Sequence, residues 1–187
     1  MMRKQLEKCL ASEKDESVVD IVLYGSAARQ DDARDVDILV IFKAGTLRER
    51  LEHLARIKAK VKTVLTGRIL DIKQITLAEL FSPAFLARQG VLLDGVSLRD
   101  GAPFCERLGF ESFALFSYVL KDLSHAQKVK FNYLLAGRGG IGMLQRVKGQ
   151  RLAAGAAKVP RQAAAIFEEI LRRNKIKYTR SDVLEAR

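Results

Sequence analysis

The sequence predicts an α+β fold, with an α/β first half and a basic helical or α+β C-terminal region. Three observations carry that expectation. Short apolar runs at 18–24, 36–42 and 68–75 have strand length and alternate with stretches of helical spacing. No apolar run approaches the ~20 residues that span a bilayer. The charge is also split: residues 1–120 hold 18 Lys and Arg against 17 Asp and Glu, whereas 121–187 hold 15 against 5.

Each element has a local signal. Residues 2–13 read as a helix with Leu6, Cys9 and Leu10 on one face. VVDIVLY and VDILVIF, at 18–24 and 36–42, read as buried strands. Thr46 caps a helix running to about Val64, with Leu47, Leu51, Leu54, Ile57 and Val61 at helical spacing. RILDIKQI at 68–75 is a third strand, and Thr76 caps a short helix containing Leu77 and Leu80. Residues 83–89 read as helical and lead into the apolar VLLDG. Residues 110–123 and 126–135 read as an aromatic-rich helical pair whose Phe113, Phe116, Tyr118, Phe131 and Tyr133 are expected in a core. A Gly-rich segment, a helix near 161–173 and the strand-like KIKYTRSDVL follow. A boundary near 98–103 separates a domain of residues 1–100 from one of 104–187.

Composition excludes several classes. At 48% apolar and 29% charged residues, the 187-residue chain is an ordinary globular one, long enough to bury a core. Its first sixteen residues are charged throughout and contain no signal-peptide apolar region. Cys9 and Cys105 are too few for a disulfide framework, lack metal-ligand spacing and read as small buried hydrophobes. A soluble protein of the reducing cytoplasm, without a membrane partner, is expected.

The most specific stretch is LYGSAARQDDARDVDILVI, residues 23–41. Strand period 2 sends Asp35 and Asp37 to one side, roughly 6.5–7 Å apart at Cα. Two carboxylates that close repel unless a cation neutralises them. The preceding turn at Gly25 and Ser26 presents backbone N–H groups suited to phosphate. Asp71 stands among Ile69, Leu70 and Ile72, costly in an apolar strand unless hydrogen-bonded or metal-bound. If its strand lies beside 36–42, Asp71 completes a three-carboxylate cluster suited to Mg²⁺ or Mn²⁺. Two such ions, roughly 3.5–4 Å apart, would activate an attacking hydroxyl and stabilise leaving pyrophosphate. Asp71 could also accept the proton of the incoming hydroxyl.

Gly25-Ser26, Arg29, Asp35-x-Asp37 and a separate strand Asp71 together resemble the DNA polymerase β-type nucleotidyltransferase superfamily, in particular its minimal nucleotidyltransferases. The likeness covers roughly residues 17–95. It implies a small mixed β-sheet flanked by helices and a catalytic domain over residues 1–100. It also implies nucleotide binding by Gly25, Ser26 and Arg29, with Asp35, Asp37 and Asp71 as catalytic metal ligands for two Mg²⁺ ions. The family usually has Gly after its motif Arg and Ser before its first Asp; Gln30 and Arg34 stand there. Neither departure removes a metal ligand; both bear on the nucleotide pocket.

The C-terminal half suggests an anionic partner. Residues 128–161 hold eight basic residues, no acidic one and six of the thirteen glycines. Ordinary helices mix signs for i,i+4 pairing, so RNA or DNA is the expected partner. Lys128, Lys130, Arg138, Arg146, Lys148 and Arg151 are its candidate contacts. AGRGGIGM lacks the GK[ST] ending of a P-loop and follows a helix, so it reads as a flexible loop.

Blander roles suit other residues. Arg29 either pairs with a loop acid such as Asp31 or Asp32 or binds phosphate. His53 is expected at the surface of its helix, and His125 beside a helix cap at Ser124. Tyr24 is expected to pack under the Gly25 turn. The resulting expectation is an Mg²⁺-dependent enzyme moving a nucleoside monophosphate from a nucleoside triphosphate to an acceptor hydroxyl of nucleic acid. The chain length suits a simple or homo-oligomeric enzyme. Two rivals stand beside it: an antitoxin-type enzyme adenylylating a protein, and a non-catalytic nucleic-acid-binding module.

Overall fold

Two four-stranded sheets organise the chain, one in each of two compact units that divide between Gly109 and Phe110. The computed structural model describes residues 2–13 and 15–187.

The first unit begins with α1 (Met2–Leu10), which buries Met2, Leu6 and Leu10. Strand β1 (Val18–Tyr24) is almost wholly buried and turns at Gly25 into the single-turn α2 (Ser26–Arg29). Strand β2 (Asp35–Phe42) returns antiparallel to β1. Helix α3 (Leu47–Val64) then crosses over to β3 (Ile69–Thr76), which pairs parallel to β2. Helices α4 (Leu77–Leu80) and α5 (Arg88–Asp94) precede the short β4 (Val96–Ser97), and α6 (Phe104–Arg107) follows. The strand order β3-β2-β1-β4 makes a mixed sheet, the one parallel pair being the one with a helical crossover.

Local sequence explains the helix starts. Thr46 accepts a hydrogen bond from the Glu49 N–H while Glu49 accepts from Thr46 N–H, a reciprocal cap repeated by Thr76 with Glu79. Apolar residues line both faces of the sheet. Leu23, Ile38, Val40 and Phe42 pack with α1 and α3, while Val22, Leu39 and Ile41 pack with Leu80, Val91 and Phe104. Buried Asp20 joins β1 to β4 and α6, accepting from Ser97 Oγ at 2.8 Å and pairing with Arg107 at 2.9 Å.

The second unit corrects one expectation. Residues 110–119 form a strand, β5 (Phe110–Val119), where helical spacing predicts the first of two helices. Ser112, Ala114, Phe116 and Tyr118 are buried in alternation, the period of a one-faced strand. Apolar residues at 110, 113 and 116 follow helical spacing, whereas 114, 116 and 118 follow period 2; pairing with residues 156–160 and 177–186 decides for the strand. The expected second helix is α7 (His125–Ala136), capped by Ser124 with Gln127. Then follow α8 (Met143–Arg146), β6 (Gln150–Ala153), β7 (Ala156–Pro160), α9 (Ala164–Arg173) and β8 (Lys177–Ala186). All pairings in this sheet, ordered β6-β7-β5-β8, are antiparallel. Phe116 of β5 packs 4.9 Å from Phe167 of α9, and Tyr118 meets Phe131 of α7 edge-on.

Four smaller expectations change as well. The helix expected at 83–89 lies later, at Arg88–Asp94, with turns before it. On α3 the buried stripe is His53, Ile57 and Val61, while Leu47 and Leu51 are exposed. His53 is thus a core residue: its ring meets Phe42 edge-on, and its Nδ1 lies 3.0 Å from Asp15. Cys105 is buried as expected, but Cys9 is only partly so. No helix among the described residues is long and apolar enough to cross a membrane.

Candidate active site

The candidate residues gather where β1 ends and β2 and β3 begin. Tyr24 lies opposite Asp37 in the β1–β2 register, and Asp37 lies opposite Asp71 in the β2–β3 register. Asp35 precedes Asp37 by one full strand period, so the three acids share one end of the sheet.

Gly25 closes this end. Its φ of 70° lies in the left-handed region, and a Cβ there would stand 2.6 Å from Asp37 Oδ2. Only glycine lets the turn lie this close to the carboxylate. Buried Tyr24 has its hydroxyl pKa raised by burial foremost, opposed by Lys73 and reinforced by Asp37 and Asp71.

Electrostatics mark Asp37. Burial raises its pKa first, then repulsion from Asp71, with Lys73 opposing and Asp35 adding a smaller upward push. Asp71 itself differs from expectation: its side chain is 48% exposed and pairs at 3.0 Å with Lys73. Water and an ammonium therefore stabilise it, so its apolar sequence neighbours impose no burial cost. Lys73 is held charged, chiefly by its hydrogen bond to Asp71. It has a readable signal, because period 2 sends residues 71 and 73 to one face.

Two further contacts shape the loop. Arg68 donates to the carbonyls of Ala33 and Asp31, the latter at 2.9 Å, tying the segment before Asp35 to the start of β3. Arg29 pairs with Asp94 at 3.0 Å, where the sequence offers Asp31 or Asp32 as its acid. Nothing in the sequence links residues 29 and 94; the packing of α5 beside β1 brings them together.

Among the described residues no three His, Cys, Asp or Glu side chains close into a metal-holding group. The donor set nevertheless fits a hard cation. It is all carboxylate, Asp37 sits in the repulsive field of two other acids, and the missing Cβ of Gly25 leaves space beside Asp37.

In the second unit Lys128 and Lys130 lie on α7 and Arg138 on the following turn. Arg146 ends α8, Lys148 adopts a positive φ, and Arg151 lies on β6. Among the described residues none of these six forms an ion pair, whereas Lys158 pairs with Glu185 and Arg161 with Asp182. The glycine segment packs its backbone closely at two positions. A Cβ on Gly137 would collide with the Gly140 carbonyl, and one on Gly142 with the backbone of Leu135 and Ala136.

The profile of the nucleotidyltransferase domain family matches residues 3–86. The match covers fewer than half of the 187 residues and likens this segment to the nucleotidyltransferase domains of the DNA polymerase β-type superfamily. No curated protein matches the chain.

Proposed function

We propose that the chain transfers a nucleoside monophosphate from a nucleoside triphosphate to an acceptor hydroxyl of RNA or DNA, with Mg²⁺ or Mn²⁺. The observation that carries this reading is the Asp37–Asp71 pair in register beneath the Gly25 turn. Asp35, Asp37 and Asp71 would hold the cation. When bound, it neutralises the triphosphate and the charge developing on the leaving pyrophosphate.

The chain's own groups do the rest. Backbone N–H groups at Gly25 and Ser26 bind phosphate oxygens, and Arg29, exchanging Asp94 for the nucleotide, adds a cation. Asp71 accepts the proton of the acceptor hydroxyl as its oxygen bonds to the α-phosphorus and the bond to pyrophosphate breaks. Lys73 orients the Asp71 carboxylate. Catalysis on this scheme is positioning and charge compensation. The six cations of the second unit that form no ion pair among the described residues support an acceptor that is a polyanion. The two free cysteines accord with action in the cytoplasm.

Incubation with each labelled nucleoside triphosphate, Mg²⁺ and RNA, DNA or host protein tests the proposal. Label on nucleic acid that disappears in Asp35→Ala and Asp37→Ala is the expected result. Label on protein moves the acceptor to the antitoxin-type reading. No transfer to any acceptor overturns the enzyme.

A further inference from the structure

Helix α7 is apolar on both sides. Its inner face buries Phe131 and Leu135, yet Tyr133 and Leu134 point outward, 45% and 43% exposed. Lys130, Tyr133 and Leu134 follow the i, i+3, i+4 spacing of one helix face. At the end of that face the chain makes its tight glycine turn and enters α8. Between turn and helices lies a groove of about 390 Å³, lined in part by Tyr133, Leu134, Arg138, Ile141 and Arg146.

The groove combines three features of an unpaired-strand platform. The Arg138 guanidinium lies 5.2 Å from the centre of the Tyr133 ring, so aromatic and cation already form a stacked pair. Ile141, 60% exposed, adds an apolar wall. Arg146 Nε donates to the Ile141 carbonyl at 3.3 Å, which fixes this cation at the groove edge. Backbone packs closely about Gly137 and Gly142 at the end of the groove.

Charge selects the occupant. Lys130, Arg138 and Arg146 have no carboxylate partner among the described residues, and no acid occurs in residues 128–161. An apolar partner would leave these cations uncompensated, and a duplex would keep its bases away from the ring. We propose that this groove holds a single-stranded nucleic acid, one unpaired base stacking on Tyr133 while flanking phosphates meet Lys130, Arg138 and Arg146. This deepens the reading of the second unit as acceptor-binding and rests on it.

Binding is measured on the full chain without nucleoside triphosphate, by fluorescence anisotropy. The probes are an oligouridylate of about 12 nucleotides, its duplex with oligoadenylate, and an abasic strand of equal length. Stacking on an aromatic contributes ~1–3 kcal/mol per base, so Tyr133→Ala is expected to weaken the oligouridylate by about 5–150-fold. The duplex and abasic strand should bind Tyr133→Ala and the parent alike. Tyr133→Phe, which keeps the ring, should restore single-strand affinity. Arg146→Ala should lower the salt slope by roughly one.

Unchanged oligouridylate affinity in Tyr133→Ala overturns the proposal, as does equal loss on all three probes. Competition by polyglutamate as effective as that by oligouridylate assigns the groove to an acidic peptide and also overturns it. Failure here is separable from failure of the catalytic reading. Asp37→Ala should bind oligouridylate like the parent chain while transferring no label.

Discussion

Asp37 on β2 and Asp71 on β3 stand directly opposite each other in a parallel register, with the Gly25 turn close enough to exclude a Cβ. Like charges in register destabilise a sheet, and here a third acid, Asp35, adds to the repulsion felt by Asp37. Repulsion kept at one end of the sheet supports the proposal that a cation binds there.

Asp37→Asn should therefore separate function from stability. It keeps the shape while removing a charge that burial and two neighbours oppose. Nucleotide transfer is expected to vanish while the metal-free protein gains roughly 0.5 kcal/mol, or ~1–2 °C in Tm. Mg²⁺ should raise the Tm of the parent but not of the variant. A variant less stable than its parent would contradict the repulsion argument.

Gly25→Ala tests the turn. The new methyl meets Asp37 Oδ2 and the residue must keep a positive φ, at a cost of about 1–2 kcal/mol. Both the KM for nucleotide and kcat should worsen, because phosphate cradle and carboxylate are displaced together. Steady-state kinetics equal to the parent's would show that the close approach is dispensable.

Arg68→Ala removes the donor that holds the Asp31 and Ala33 carbonyls. Hydrogen bonds from a charged donor contribute about 1.5–3 kcal/mol, so the loop before Asp35 should loosen. Faster amide exchange at residues 31–35 is expected, together with a higher KM for nucleotide. Unaltered exchange there would assign Arg68 no positioning role.

Acid should weaken the second unit through Glu168. Its pKa lies below the ordinary 4.5, first because Tyr178 donates to it at 2.6 Å, with Arg172 and Arg180 adding to the effect. A carboxylate with a depressed folded pKa stabilises fully above its unfolded value, and that contribution is lost as pH falls below about 4.5. Tyr178→Phe keeps the ring against Phe116 but should flatten this acid limb. Denaturant titrations from about pH 6 to pH 3 giving the same slope for both proteins would refute it.

How far local signals reach is visible in particular residues. Thr46 and Thr76 cap helices through partners three residues away, and the glycine turn at 25 needs only its own φ. The same local reading fails at 110–119, where the segment carries both a helical and an alternating apolar spacing and strand partners in β7 and β8 decide. It fails again at His53, whose burial depends on Phe42 and Asp15 closing over one side of α3.

From the sequence alone came the α+β class, the Gly25-Ser26 turn, the paired Asp35 and Asp37, and the run of unopposed cations after residue 127. Each depends on neighbours within a few positions or on composition, so chain order is sufficient to read it. Only tertiary structure set Asp71 opposite Asp37, turned Arg29 to Asp94 and brought Arg138 over Tyr133 beside Arg146. Those relationships depend on which strand a crossover pairs with and where a turn redirects a helix. Such choices minimise exposed apolar surface and unpaired backbone over a whole unit, and no short stretch encodes them.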